Sequence, residues 1–189
     1  MKYEKLESGY YYHIYNQGNN RENIFFEEKN YDYFLHLLKK YIVPITETYA
    51  YCLLPNHFHF LLRTNEEISE KVCSQTFSNF FNAYAKAINK AYHRSGSLFK
   101  RKFSRIKIEN EDYLKRLVLY IHTNAQHHGI IDNFENYPHS SYHAYIAETE
   151  TTISKSYILK LFDNIENFMA AHKIKSDYLN TKFEDYLLE

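Results

Sequence analysis

The chain of 189 residues contains no tryptophan, only two cysteines and no formal net charge. Each shortage excludes something. Cys52 and Cys73 lack metal-ligand spacing to each other, which argues against a disulfide framework or a thiolate zinc site and fits a reducing compartment. A net charge of zero gives no bulk electrostatic sign of a polyanionic partner. No stretch approaches the length of a membrane span, and the opening MKYEKLESGY lacks the apolar run of a signal peptide. The expected compartment is therefore the cytoplasm, without a membrane partner. Internal repeats and low-complexity linkers are also lacking. What is present is a hydrophobic content of 44%, enough for one sizeable core, and 20 tyrosines. With so many, no one tyrosine can be singled out without independent evidence of position.

Charge is unevenly placed. Lys86, Lys90, Arg94, Lys100, Arg101, Lys102, Arg105 and Lys107 follow one another with no Asp or Glu among them, and Tyr92, Phe99 and Phe103 are interleaved. Basic residues with aromatics between them make a local nucleic-acid footprint. The plain alternative is a solvated helix face running into a charged loop.

Residues 10–17, YYYHIYNQ, are aromatic and β-branched as in a strand, and GNNREN after them is a loop signal. From Glu28 to Ile42, Tyr31, Phe34, Leu35, Leu38 and Tyr41 recur at helical steps, with Pro44 beyond. ITETYAYCLL and HFHFLLRT flank Pro55-Asn56 and predict two antiparallel strands on a tight connection. Ile68 to Tyr92 predicts a long helix, FSRIKIE (103–109) a fourth strand, and a helix opening at Asn110 or Glu111-Asp112 runs to about His128, before Gly129. The order strand, helix, strand, strand, helix, strand predicts an α+β fold: a ferredoxin-like split βαβ antiparallel sheet with helices on one face and a further helix added. Residues 1–146 are expected to form the main domain. Residues 147–189, with short helical periodicities in ISKSYILKLF, NIENFMAAHKIK and SDYLNTKFEDYLLE, read as a helical extension packed on it.

His57 and His59 stand two apart in a strand, so both imidazoles project from one face and can chelate a divalent metal. Taken alone, such a pair is more often two satisfied or exposed histidines. Tyr120 and Asn124 are four apart on a helix and share a face, so a phenol and an amide oxygen can address one point. His122 lies roughly 200° around the helix from Tyr120, at 100° per residue, and is expected to be structural or DNA-facing.

Four segments in order carry a family resemblance. LLPNHFHFLL (53–62) resembles the His-hydrophobic-His segment of HUH single-tyrosine transposases. YIHTNAQHHGI (120–130) resembles the nucleophile helix of their REP-associated branch, GSLFKRKF (96–103) its glycine, aromatic and basic segment, and SSYHAY (140–145) its Ser-Ser-Tyr segment. The likeness spans roughly residues 8 to 146. Two positions depart from the branch: Ala125 stands where it usually has Pro, allowing the helix to continue, and His128 stands where it usually has a small residue.

The resemblance implies a metal site of His57, His59 and Asn124 holding Mg²⁺ or Mn²⁺, and a Tyr120 that attacks a phosphodiester to leave a 5′-phosphotyrosine and a free 3′-OH. It also implies single-stranded or hairpin DNA as partner, bound over the Lys86 to Lys107 segment, by a monomer or homodimer. Two nitrogens and an amide oxygen suit Mn²⁺ at least as well as Mg²⁺, which prefers oxygen. The alternatives are a non-catalytic single-stranded nucleic-acid-binding domain and a metal-dependent phosphodiester hydrolase that activates water.

Overall fold

The computed structural model describes residues 4–100, 102–148 and 150–187, with side chains as far as residue 180. Strands β1 (Tyr11–Gln17), β2 (Thr46–Leu54), β3 (His57–Thr64) and β4 (Ser104–Ile108) form an antiparallel sheet in the order β2-β3-β1-β4. Helix α1 (Glu28–Tyr41) links β1 to β2, and α2 (Glu70–Ala91) links β3 to β4. This is the split βαβ arrangement expected from the element order. β2 and β3 are joined by Pro55 and Asn56 alone, so Leu54 pairs directly with His57.

Side-chain alternation divides the molecule into two layers. On β3, Phe58, Phe60 and Leu62 enter an aromatic core with Phe34 of α1 and Phe77, Phe80 and Tyr84 of α2. All seven are fully buried, and removing each such large apolar side chain from water stabilises the fold by roughly 1.5–3 kcal/mol. His57, His59 and Leu61 consequently face the opposite side of the sheet.

That opposite side is covered by α3 (Glu111–His122), α4 (Asn124–His127), α5 (Tyr142–Ile146), α6 (Lys155–Leu161) and α7 (Ile165–Leu187). Asn110 caps α3, its Oδ1 accepting the Tyr113 backbone N–H at 2.8 Å. The helix then buries Leu114, Leu117, Val118 and Ile121 in one cluster with Ala50, Cys52 and Leu61 of the sheet. The outer edge of β2 is not left open. Leu53, Tyr51 and Thr48 exchange backbone hydrogen bonds of 2.9 Å with His139, Ser141 and Ser154, so the returning chain seals that edge.

Two sequence expectations change. The helix expected to run unbroken to about His128 is interrupted at Thr123, whose backbone lies at φ −90°, ψ 7° and whose Oγ1 donates to the Leu119 carbonyl at 2.8 Å. The periodicities in NIENFMAAHKIK and SDYLNTKFEDYLLE, expected as separate pieces, run as one helix, α7, from Ile165 to Leu187. It docks on α3 and α4: His122 is held between Ser141 Oγ and His172 Nε2, each at 2.9 Å, and Gln126 Nε2 donates to Asn180 Oδ1 at 2.8 Å. No helix among the described residues is long and apolar enough to cross a membrane.

Candidate active site

The loop after β1 seats the site from below. Gly18 donates to Asn56 O at 2.8 Å, and Ile24 and Phe25 both donate to Pro55 O, which fixes the β2–β3 turn. A Cβ on Gly18 would stand 1.9 Å from the Glu22 carbonyl oxygen, so only glycine fits. Asn56, held in that turn, presents Oδ1 to His57 Nδ1 at 2.7 Å. An amide oxygen can only accept. Asn124 Oδ1 faces the other ring nitrogen from 3.3 Å, so the shorter contact decides: the proton of neutral His57 sits on Nδ1 and its Nε2 carries the lone pair.

His59 is engaged at the same ring position by a different partner. Its Nδ1 lies 2.8 Å from Nε2 of His13, a buried residue of β1. Both histidines are thus occupied on the Nδ1 side, leaving two Nε2 atoms for the site.

Tyr120 lies in the last turn of α3 and Asn124 opens α4 beyond the break at Thr123. They meet the histidines nonetheless. The Tyr120 ring stands edge-on to His59 with centroids 5.4 Å apart, and the fully buried Asn124 places Oδ1 3.3 Å from His57 Nε2. The structure thus brings together all four residues singled out as nucleophile and ligands.

Burial dominates the electrostatics. It pushes His57 and His13 down to about 4 and His59 well below the ordinary histidine value, with neighbouring imidazoles adding to the effect at His57 and His59. All three are neutral at neutral pH, the form that binds metal. Burial also raises the Tyr120 phenol above its ordinary value, an effect partly offset by the Asn124 side chain. Tyr120 is consequently a protonated phenol until something arrives to stabilise the phenolate.

Among the described residues no group of three or more His, Cys, Asp or Glu is placed to hold a metal ion. The two-imidazole, one-amide set fits a divalent ion on other grounds. His57 Nε2 and Asn124 Oδ1 are lone-pair atoms facing each other at 3.3 Å, an arrangement that a shared cation relieves. Asn124 Nδ2, buried beside them, has no hydrogen-bond partner.

His57, His59 and Tyr120 open onto a groove of about 1080 Å³, with the fully buried Asn124 behind His57. Its lining includes Tyr15, His57, His59 and Tyr120, together with the cations Arg21, Lys100, Lys102 and Arg105 against one carboxylate, Glu4. Four cations and one carboxylate thus line the groove in a chain of zero net charge. Of the other expected DNA contacts, Lys86 and Lys90 are exposed on α2 and do not line the groove. Arg94 pairs with Glu22 at 2.6 Å and Lys107 with Glu7. Arg101 lies outside the described residues.

His122 is wholly buried between Ser141 and His172, which makes it structural and not DNA-facing. His128 is exposed on the groove wall, its ring 4.8 Å from that of His57. Sequence reasoning missed His13 and Asn56. Asn56 was visible as the turn residue before His57, but the partnership of His13 with His59 depends on a pairing across 46 positions.

No family model matches the chain. A curated protein of Haemophilus influenzae described as a "Putative REP-associated tyrosine transposase" is 27% identical over 104 residues, 51% of this chain and 59% of the relative. The matched part thus falls short of two thirds of that relative's length. A solved structure described as a REP-associated tyrosine transposase bound to a REP hairpin superposes with a TM-score of 0.62 at 20% identity, covering 82% of this chain and 94% of that one. The chain thus shares the fold of that solved structure and is similar over half its length to the curated relative.

Proposed function

We propose that the protein cleaves and rejoins single-stranded DNA beside a hairpin by forming a covalent bond between phosphorus and the Tyr120 oxygen. The observation that carries this reading is the convergence of Tyr120, His57 and His59 on a cation-lined groove, with Asn124 buried against His57. The phenolic oxygen attacks phosphorus in line, and the P–O3′ bond breaks. The phenol's proton leaves, and the departing 3′ oxygen is protonated. One phosphodiester replaces another, so a second 3′-OH can reverse the step and join a new strand without a nucleotide cofactor.

His57, His59 and Asn124 would hold Mg²⁺ or Mn²⁺, which when bound would supply positive charge to offset that of the phosphate and the phenolate. Lys100, Lys102 and Arg105 position the backbone in the groove, and Tyr15 offers a ring on which an unpaired base can stack. Arg94 and Lys107 are committed to carboxylates in the free protein and join only if DNA displaces those partners. In this reading residues 1–146 form the catalytic unit and residues 147–189 buttress it through α3 and α4.

The test is to incubate the protein with labelled single-stranded hairpin DNA and Mg²⁺ or Mn²⁺ and to resolve the products on a denaturing gel. A protein–DNA adduct with a matching free 3′ fragment is expected, lost in Tyr120→Phe and severely reduced in His57→Ala. Cleavage without an adduct transfers the case to a hydrolase. Binding with neither cleavage nor adduct makes the protein a nucleic-acid-binding module.

A further inference from the structure

His13 is among the few buried polar residues of the sheet, with 6% of its surface exposed, and the chemistry above gives it no task. Register explains its reach. β1 pairs antiparallel with β3 so that Tyr15 stands opposite His59 and His13 opposite Leu61, and His13 therefore meets His59 diagonally on the face turned toward α3. The two rings lie 27° from parallel with Nε2 of His13 2.8 Å from Nδ1 of His59. Tyr15 packs against both, 4.7 Å from His13 and 5.6 Å from His59, which restricts either ring from turning away.

A hydrogen bond between two neutral imidazoles holds one proton, and the ring that carries it determines what the other side of His59 can do. If His59 carries the proton on Nδ1, its Nε2 is a bare lone pair able to bind a metal. If His13 carries it on Nε2, the remaining proton of His59 occupies Nε2 and blocks coordination. Asn56 imposes the first pattern on His57, because its amide oxygen cannot donate. A site in which both histidines act together requires the same pattern at His59.

We propose that His13 is a positioning residue that accepts the His59 Nδ1–H and so holds His59 in the tautomer whose Nε2 can bind the metal. This rests on the reading of His59 as a ligand. His13 touches neither the phosphate nor the ion; its effect passes through His59.

The test pairs His13→Gln, whose amide oxygen can reach the place of Nε2 and accept, with His13→Phe, which keeps a ring but cannot accept. Two-bond ¹H–¹⁵N spectra of metal-free protein labelled at histidine read the tautomer directly. Wild type and His13→Gln are expected to show His59 protonated on Nδ1, and His13→Phe to lose that preference. Mn²⁺ affinity, followed by the electron paramagnetic resonance of the free ion, is expected to fall about 10- to 100-fold in His13→Phe and only a few-fold in His13→Gln. Wild-type His59 protonated on Nε2 overturns the proposal, and this reading needs no variant to fold. So does a well-folded His13→Phe that binds Mn²⁺ as wild type does. An Nδ1-protonated His59 in a wild-type protein that binds no Mn²⁺ and forms no DNA adduct supports the pairing and sinks the proposed metal reading instead.

Discussion

Replacing Phe168 with alanine should unlatch the C-terminal helix from the helix that bears Tyr120. Phe168 is fully buried, with ring centroids 4.2 Å from His172, 4.7 Å from Tyr145 and 5.3 Å from Phe162. His172 in turn donates from Nδ1 to the Phe168 carbonyl at 2.7 Å and meets His122, two residues past Tyr120, at 2.9 Å. Deleting a fully buried phenylalanine ring costs about 3–5 kcal/mol, because lost transfer energy is joined by the cavity left behind. For a chain of this size a loss of 1 kcal/mol lowers Tm by roughly 2–4 °C, so the expected fall is about 6–20 °C. Urea unfolding of Phe168→Ala should show the midpoint displaced with the slope unchanged. Ile174→Ala, at a site 70% exposed on the same helix, is the control and should stay within about 0.5 kcal/mol of the parent. A loss below about 1 kcal/mol for Phe168→Ala would show that α7 contributes little to holding the site, and the buttressing argument would fail.

Other outcomes follow from the same geometry. His172 is held down to about 4 by burial against an ordinary 6.5, so its contribution is complete above pH 6.5 and is lost as pH falls toward 4. Stability from this residue should decline by about 3 kcal/mol across that window, and a His172→Gln difference curve that is flat there would contradict the assignment. Saturating Mn²⁺ at about 100 times its Kd should stabilise the wild type by roughly 2.7 kcal/mol, a rise of about 5–11 °C in Tm. Asn124→Ala and His57→Ala should remove that rise; its survival in both would place the ion elsewhere. If Lys100 and Lys102 contact phosphates, the double glutamine variant should reduce the slope of log affinity against log salt by about 1.4 on single-stranded DNA. An unchanged slope in a titration of labelled oligonucleotide would remove both from the interface.

The strands, the hairpin at Pro55-Asn56 and the two crossover helices were legible because period-2 and period-3.6 patterns declare themselves locally. The same holds for His57 with His59, whose shared face follows from strand alternation alone. Tyr120 and Asn124 were legible as a pair for a reason only partly right: the helix breaks at Thr123, and tertiary packing of Asn124 and Gln126 restores the approach that unbroken helical spacing had promised. His13 was illegible because its role depends on strand register, which a sequence with many aromatic residues in β1 does not specify. The ion pairs made by the basic run were illegible for a similar reason. Glu22 and Glu7, which engage Arg94 and Lys107, lie 72 and 100 residues away and cannot be seen from within the segment.

The most direct measurement concerns the atom that joins protein to DNA. After reaction with hairpin DNA, trypsin should release the peptide from Leu117 to Lys155, and fragmentation by mass spectrometry should place the nucleotide remnant on one of its four tyrosines, Tyr120, Tyr137, Tyr142 or Tyr145. The hydroxyls of Tyr137 and Tyr145 donate to backbone carbonyls in the interior and Tyr142 is buried, whereas Tyr120 opens on the groove. A remnant on Tyr120 is the result predicted. A remnant on any other residue, or an adduct that persists undiminished in Tyr120→Phe, would contradict it.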